Sequence, residues 1–155
     1  MIRYKVASDN NFIHSTWCTN LHSKPKPHTE ELLLPTTFIP WNIFCLNQNQ
    51  IIDELETISN TLIYCIAEDP DVILGYLCYS HLKDNLIIHF GFVKDKFRNN
   101  HIMSELLKAA DEDYKSKLIT LTHVSKMYGS LGKKFSLIYD PYIISKLQTL
   151  YKETQ

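Results

Sequence analysis

Glycine is scarce in this chain: only four of the 155 residues are glycine, and none lies between Phe92 and Tyr128. The gap matters because a polar turn at Lys94–His101 joins an apolar run to a helical pattern, which is the layout of a pyrophosphate-binding turn. Such turns usually hold glycines, which let the backbone adopt positive φ and approach the phosphates. An intact glycine-rich phosphate turn is therefore excluded. The order of strand, turn and helix indicates a fold, whereas the residues of the turn do not by themselves indicate an activity.

The chain also lacks a strong net charge, a long apolar run and any CxxC pair. A formal net charge of −1 and a pI near 6.6 create no positive field, which disfavours broad binding to nucleic acid. No apolar run approaches the roughly 18 residues of a membrane helix, and none follows Arg3 and Lys5 as in a signal peptide. We expect no membrane partner, a cytoplasmic location, and four cysteines that are buried free thiols.

With 45% hydrophobic and 21% charged residues, the chain has the composition and length of one globular domain, predicted over residues 1–155. Asp9 can cap a helix that runs to about His22, and a second helix is predicted at Gln48–Ile58. The proline-rich connection between them, residues 23–40, is expected to lie over the surface, with a short helix at Glu30–Leu34. The chain should close with a helix, a strand and a helix at Ser125–Lys134, Phe135–Tyr139 and Ile143–Lys152.

Three β-rich segments joined by short turns predict an antiparallel meander at Thr61–Ala67, Val72–Leu82 and Leu86–Val93. The third segment lacks clean alternation, as expected for a strand that is covered on both faces. A helix that begins near Ile102 would cross over to a strand at Lys117–His123, which should run parallel to Leu86–Val93. The element order predicts an α+β domain with a mixed, mostly antiparallel sheet flanked by helices.

Three segments of this pattern resemble the GNAT acetyltransferase superfamily. Phe92–Leu107 resembles its motif A, a strand ending in Val, then Arg-x-x-Gly-x-Gly/Ala, then a helix ending in Leu-Leu. Asp69–Tyr76 resembles the hairpin into an "ilGy" strand, and Tyr128–Phe135 resembles the Y-x-x-L-G-F segment. The sequence around Ile138–Tyr142 is similar to that of phage-encoded members of the family. The resemblance covers most of the chain and implies the GNAT-like acyltransferase fold.

In this family the turn after the fourth strand binds the pyrophosphate of acetyl-CoA, so the resemblance implies acetyl-CoA as the cofactor. The physical basis is that free N–H groups and the dipole at a helix N-terminus favour phosphate. Arg98 matches the family's arginine, while His101 and Met103 stand at the two glycine positions, where bulky side chains would obstruct the pyrophosphate. The expected cofactor-binding residues are Phe92, Val93, Arg98, Asn99, Asn100, His101, Ile102 and Met103.

Acetyl transfer to an amine needs a base, a backbone N–H to polarise the thioester carbonyl, and an acid for the leaving thiolate. The resemblance implies the N–H of Phe92 or Val93 as the donor and Tyr128, on the helix after the fifth strand, as the acid. His89 lies near the position where the family often places a catalytic Glu, and His123 ends the adjacent strand. A neutral imidazole at either position is a candidate base near pH 7. The alternative for each is a structural role, and no third ligand is spaced for a metal site.

Two functions of different classes follow. The first is an N-acyltransferase that moves an acetyl group from acetyl-CoA to a small-molecule or protein amine. The second is a catalytically inactive GNAT-like binding or structural protein with an assembly partner, as in a phage virion, which the missing glycines motivate. These readings place the chain in the cytoplasm, of a host cell if phage-encoded, or in a virion. Group transfer to a nucleobase is a third reading, which the near-neutral charge disfavours.

Overall fold

Residues 1–22, 35–125 and 127–155 are described by a computed structural model, which gives the backbone alone for residues 35, 37, 127, 128 and 130. Six strands form one sheet in sequential order. They are β1 (Ile2–Tyr4), β2 (Asn60–Cys65), β3 (Ile73–Leu82), β4 (Asn85–Val93), β5 (Ile119–Leu121) and β6 (Leu137–Tyr139). Strands β1 to β4 are antiparallel, whereas β5 runs parallel to β4 and β6 parallel to β5. The predicted α+β class with a mixed, mostly antiparallel sheet is confirmed, as is the parallel strand after the helical crossover.

The helices within the described residues are α1 (Asn10–Leu21), α2 (Trp41–Glu56), α3 (Ile102–Ala110), α4 (Met127–Gly132) and α5 (Ile143–Glu153). Helix α2 begins well before the predicted start at Gln48. Extended backbone at Pro40 precedes it, and Phe44 is buried on the same face as Ile52 and Leu55. The polar run that follows Leu46 concealed this apolar stripe in the sequence. The short helix expected at Glu30–Leu34 lies outside the described residues.

Asp9 was expected to cap α1, but its side chain makes no capping hydrogen bond. Its carboxylate instead accepts hydrogen bonds from the Arg3 guanidinium at 2.8 and 2.9 Å and from the Val6 N–H at 2.8 Å. The Arg3 guanidinium holds the pKa of Asp9 below its usual value. Because Asp9 is only 3% exposed, this pairing offsets the cost of burying the charge and ties β1 to the start of α1.

The sheet is covered on both faces. One core cluster joins α1 and α2 to one face, where Trp17 stacks on Phe90 with ring centroids 4.7 Å apart. A second cluster joins α3 to the other face, and α5 packs through Ile143 and Leu147 against Ile87. The four cysteines are free thiols, and Cys18, Cys65 and Cys78 are buried as predicted, whereas Cys45 in α2 is only partly buried. No helix in the described part of the chain has both the length and the apolar character needed to cross a membrane.

Candidate active site

Strands β4 and β5 separate like a fork. They pair only where Leu86–Ile88 faces Ile119–Leu121, and the last backbone bond joins the Thr122 N–H to the Ile88 carbonyl at 3.1 Å. Beyond that point β4 continues to Val93, whereas β5 has ended. The second half of β4 therefore has an edge without a neighbouring strand in the described part of the chain, which we call the open edge.

A cavity of about 520 Å³ lies beside the open edge of β4. Apolar side chains form much of its wall, namely Phe90, Phe92, Val93, Phe97, Ile102, Met103, Leu107, Leu131 and Phe135. Arg98 and Lys134 bring positive charge, and no carboxylate is present among the described lining residues. A ligand with an apolar section and an anionic section would suit this cavity.

The start of α3 keeps the geometry of a glycine turn without its glycines. Asn99 and His101 both have positive φ, 69° and 60° respectively, and His101 is the left-handed N-cap of the helix. The N–H groups of Ile102, Met103 and Ser104 bond no acceptor among the described residues. Free N–H groups and the helix dipole thus face the cavity, as an anion site requires.

The side chains of this turn differ in their surroundings. His101 is exposed and borders the cavity, whereas Met103 is partly buried against the core cluster of α3. The Arg98 guanidinium pairs with Asp95 at 2.7 Å, and its Nε donates to the Val93 carbonyl at 3.4 Å, which holds it at the end of β4. All the expected cofactor-binding residues except Asn100 border the cavity.

Replacing His101 with glycine should raise the free energy of unfolding by up to about 1 kcal/mol. A left-handed L-residue costs roughly 1–2 kcal/mol, which the greater entropy of glycine in the unfolded chain partly offsets. Urea unfolding of the variant measures the change. His101→Ala is the matched control, because alanine removes the imidazole but retains the strained Cβ. An equal gain in both variants would mean that the imidazole, and not the backbone, is the source of strain.

The backbone N–H of Val93 points into the fork. The neighbouring Lys94 N–H bonds the Leu74 carbonyl on β3 at 2.8 Å. Because the direction of the polar groups alternates along a strand, Phe92 also directs its N–H towards β3, and Val93 directs its groups away. The Val93 carbonyl supports this orientation, since it accepts a hydrogen bond from Arg98 on the open edge. Of the two expected donors to a thioester carbonyl, Val93 has the orientation that suits the role.

His89 and His123 lie at the fork, although neither borders the cavity. His89 is 1% exposed, with Nε2 2.8 Å from the Ser80 hydroxyl and Nδ1 3.0 Å from the Thr122 hydroxyl. Burial lowers the pKa of His89 to about 3, with a further effect of the nearby His123, and burial lowers the pKa of His123 to about 4. Both imidazoles are therefore neutral at pH 7, but both nitrogens of His89 are already bonded. The assignment of either as the base stays a prediction.

The backbone of Tyr128 lies in α4, the helix after β5, as expected. Its side chain is outside the described part of the structure, so its role as the acid stays a prediction. The sequence did not single out Lys134 and Asn20, which also line the cavity. Lys134 lies within the Tyr128–Phe135 segment of the resemblance, a signal that could have found it. Asn20 carries no such signal, because only the packing of α1 beside the fork brings it there.

Residues 22–129 match the sequence model of the acetyltransferase (GNAT) family. The match covers more than half of the chain, so the chain belongs to the GNAT acetyltransferase family. No curated protein matches the sequence.

Solved structures share the fold at low sequence identity. A candidate acetyltransferase from Pyrococcus furiosus aligns with a TM-score of 0.55 and 13% identity, over 86% of this chain and 89% of that one. A GNAT family acetyltransferase from Staphylococcus aureus Mu50 aligns with a TM-score of 0.53 and 14% identity, over 86% and 78%. A GNAT family acetyltransferase from Brucella melitensis, crystallised with acetyl-CoA, aligns with a TM-score of 0.47 and 15% identity, over 85% and 80%.

Proposed function

We propose that this chain transfers an acetyl group from acetyl-CoA to an amine of a small molecule or a protein. The observation that carries the proposal is the cavity at the fork, where an apolar wall meets a free helix N-terminus and two cations. Membership of the GNAT family supports the same reaction class. The near-neutral charge of the chain fits an acceptor other than nucleic acid.

The residues of the cavity fit acetyl-CoA. The free N–H groups at the start of α3 would bind its pyrophosphate, and Arg98 and Lys134 would offset the negative charge. The apolar side chains along β4 and α3 would contact the pantetheine arm. When bound, acetyl-CoA supplies an activated acetyl thioester.

The chain's own groups then have distinct tasks. The Val93 N–H would polarise the thioester carbonyl, since it points into the fork. Of the two histidines, His123 is the better placed to accept a proton from the amine, because it is partly exposed whereas His89 is enclosed. It would do so at Nε2, in exchange for the contact of that nitrogen with the Gln48 amide. Tyr128 would protonate the leaving thiolate. The apolar wall would limit the access of water to the thioester.

Acetyl-CoA should stabilise the folded chain. At a concentration about 100 times its Kd, binding adds about 2.7 kcal/mol, which corresponds to a rise in Tm of roughly 5–10 °C for a chain of this size. Arg98→Ala should weaken binding about tenfold, because it removes a charge-assisted hydrogen bond to phosphate. Lys96→Ala is the matched control, since Lys96 belongs to the same turn and does not line the cavity. Differential scanning fluorimetry and calorimetric titration measure both effects.

No rise in Tm at millimolar acetyl-CoA would contradict the proposed function. If the chain then co-purified as a stoichiometric part of a virion, the binding or structural alternative would replace it. Equal loss of affinity in Arg98→Ala and Lys96→Ala would show a general charge effect in place of a phosphate contact.

A further inference from the structure

A continuous line of polar side chains crosses the sheet behind the cavity. The Ser80 hydroxyl donates to the Ile58 carbonyl at 2.9 Å and lies 2.8 Å from His89 Nε2. The Thr122 hydroxyl then lies between two imidazoles, 3.0 Å from His89 Nδ1 and 2.9 Å from His123 Nδ1. Gln48 Nε2 closes the line 3.2 Å from His123 Nε2. We call this set of side chains the fork network.

The number of available protons decides which atom is the donor and which is the acceptor in each hydrogen bond of the fork network. The one hydroxyl proton of Ser80 goes to a carbonyl, so Ser80 must accept from a protonated Nε2 of His89. The neutral His89 then accepts at Nδ1 from the Thr122 hydroxyl, which in turn accepts from the protonated Nδ1 of His123. His123 Nε2 is left to accept from the amide of Gln48. Every bond is satisfied only when both imidazoles are neutral and hold opposite tautomers.

The fork network relays no proton from one end to the other through the described residues. A backbone carbonyl ends it at Ile58, and a side-chain amide ends it at Gln48, and neither group passes protons on. Because no proton can be relayed along it, we look for the role of Thr122 in the positions that the network fixes.

Those positions lie at the point where the strands separate. Cys78 faces Phe90 and Tyr79 faces Ile88, so His89 is the extra residue of a β-bulge in β4. Thr122 lies immediately beyond the last residue of β5 and supplies the last backbone bond to β4. The contact between the Thr122 hydroxyl and His89 thus continues the link between β4 and β5 by side chains, where the backbone ladder stops.

We propose that Thr122 is a positioning residue whose hydroxyl, by bridging the imidazoles of His89 and His123, fixes the separation of β4 and β5 and hence the open edge of β4. Its consequence for catalysis rests on the proposed acetyl transfer. Removing the hydroxyl leaves two buried ring nitrogens without partners, and the ends of both strands become free to move. The peptide groups of the open edge would then lose the orientation that acetyl-CoA requires.

The test compares three full-length variants with the wild-type chain. Thr122→Val removes the hydroxyl, Thr122→Ser retains it, and Thr120→Val makes the same change two residues earlier. Thr120 is equally buried, at 3% exposure, and its hydroxyl bonds no described residue. Because the chain has only four glycines, ¹⁵N-glycine labelling gives four backbone NMR signals, and Gly91 reports on the open edge. Calorimetric titration with acetyl-CoA gives the Kd of each variant.

We expect Thr122→Val to move the Gly91 signal and to raise the Kd for acetyl-CoA about tenfold, whereas Thr122→Ser and Thr120→Val stay within about twofold of the wild-type chain. An unmoved Gly91 signal in a folded Thr122→Val chain overturns the proposal. A Thr120→Val chain that behaves like Thr122→Val also overturns it, because the effect would then be one of general packing. If the wild-type chain binds no acetyl-CoA, the proposed function fails, and the Gly91 signal still decides the positioning role. If the Thr122→Val chain does not fold, Thr122→Ser becomes the deciding variant. Its Gly91 signal and its Kd must then match those of the wild-type chain, and a mismatch overturns the proposal.

Discussion

Lowering the pH from about 7 to about 5 should reduce the free energy of unfolding by about 4 kcal/mol. Burial lowers the pKa of His89 to about 3 and that of His123 to about 4, whereas an imidazole in the unfolded chain titrates near 6.5. Below about pH 6.5 the unfolded state therefore binds protons that the folded state does not bind. Stability then falls by about 1.4 kcal/mol per pH unit for each histidine, or about 2 kcal/mol each at pH 5, and the loss ends as the pH approaches the folded pKa values. Above about pH 7.5 these histidines contribute almost no pH dependence, because the imidazoles are then neutral in both states.

Urea unfolding at several pH values measures this loss, and the two carboxylates whose pKa is lowered, Asp9 and Asp111, lose their contributions mainly below this window. The pKa of Asp9, for example, is held below its usual value by Arg3, so its contribution is lost only below about pH 4. His89→Gln is the informative variant, since the amide can still donate to Ser80 and accept from Thr122 without titrating. Its slope should be about half that of the wild-type chain. A free energy of unfolding that stays constant between pH 7 and 5 would show that the folded chain tolerates charged imidazoles, and the fork network would be wrong.

Local patterns were sufficient to predict the sheet. Strands β2 to β4 show in the sequence because their β-rich runs are separated by short turns, and a run without alternation indicated that β4 is covered on both faces. The predicted strand at Lys117–His123 is longer than β5, because the fork removes its partner after Leu121. That limit is set by tertiary structure, and residue preferences do not show it.

The turn before α3 was located through its resemblance to a family motif, but its conformation could not be read from the sequence. His101 and Asn99 adopt positive φ, although neither is glycine. The absence of glycine from the turn suggested that its shape had changed, whereas the backbone retains the left-handed conformation. The sequence pattern thus located the turn but did not specify its backbone conformation.

The fork network could not have been predicted, because its members are far apart in the sequence. Gln48 and His123 are separated by 75 positions, and His89 and Thr122 by 33. A lone histidine in an apolar strand is consistent with a base and, more often, with a buried structural group. Only the packing of α2 against the ends of β4 and β5 shows that both imidazoles belong to one hydrogen-bonded line.

Replacing Gly75 with alanine should cost about 3 kcal/mol, at the upper end of overpacking effects. Gly75 lies in β3 opposite Val93, and a Cβ there would stand 2.7 Å from the Phe92 carbonyl oxygen, 3.2 Å from Val93 Cγ2 and 3.3 Å from Ile102 Cγ2. The first of these atoms belongs to the backbone of β4, which cannot rotate away. Relief therefore requires β4 to move relative to β3 and α3, and this movement displaces the cavity wall. Urea unfolding measures the cost, and titration of the folded variant with acetyl-CoA should show weaker binding.

Gly129→Ala is the matched control for this substitution, and it should act in the opposite direction. Gly129 lies in α4, and a Cβ added there would meet no heavy atom of the described residues within 4 Å, so alanine should raise stability by about 0.5–1 kcal/mol through helix propensity. A loss of less than about 1 kcal/mol in Gly75→Ala would mean that β4 shifts easily at its open edge. If acetyl-CoA binding also stayed unchanged, the cavity wall would be adaptable, and the separation of β4 and β5 would not be what limits binding. A large loss of stability together with weaker binding would instead show that Gly75 leaves the room that β4 needs to hold Val93 in position for the proposed reaction.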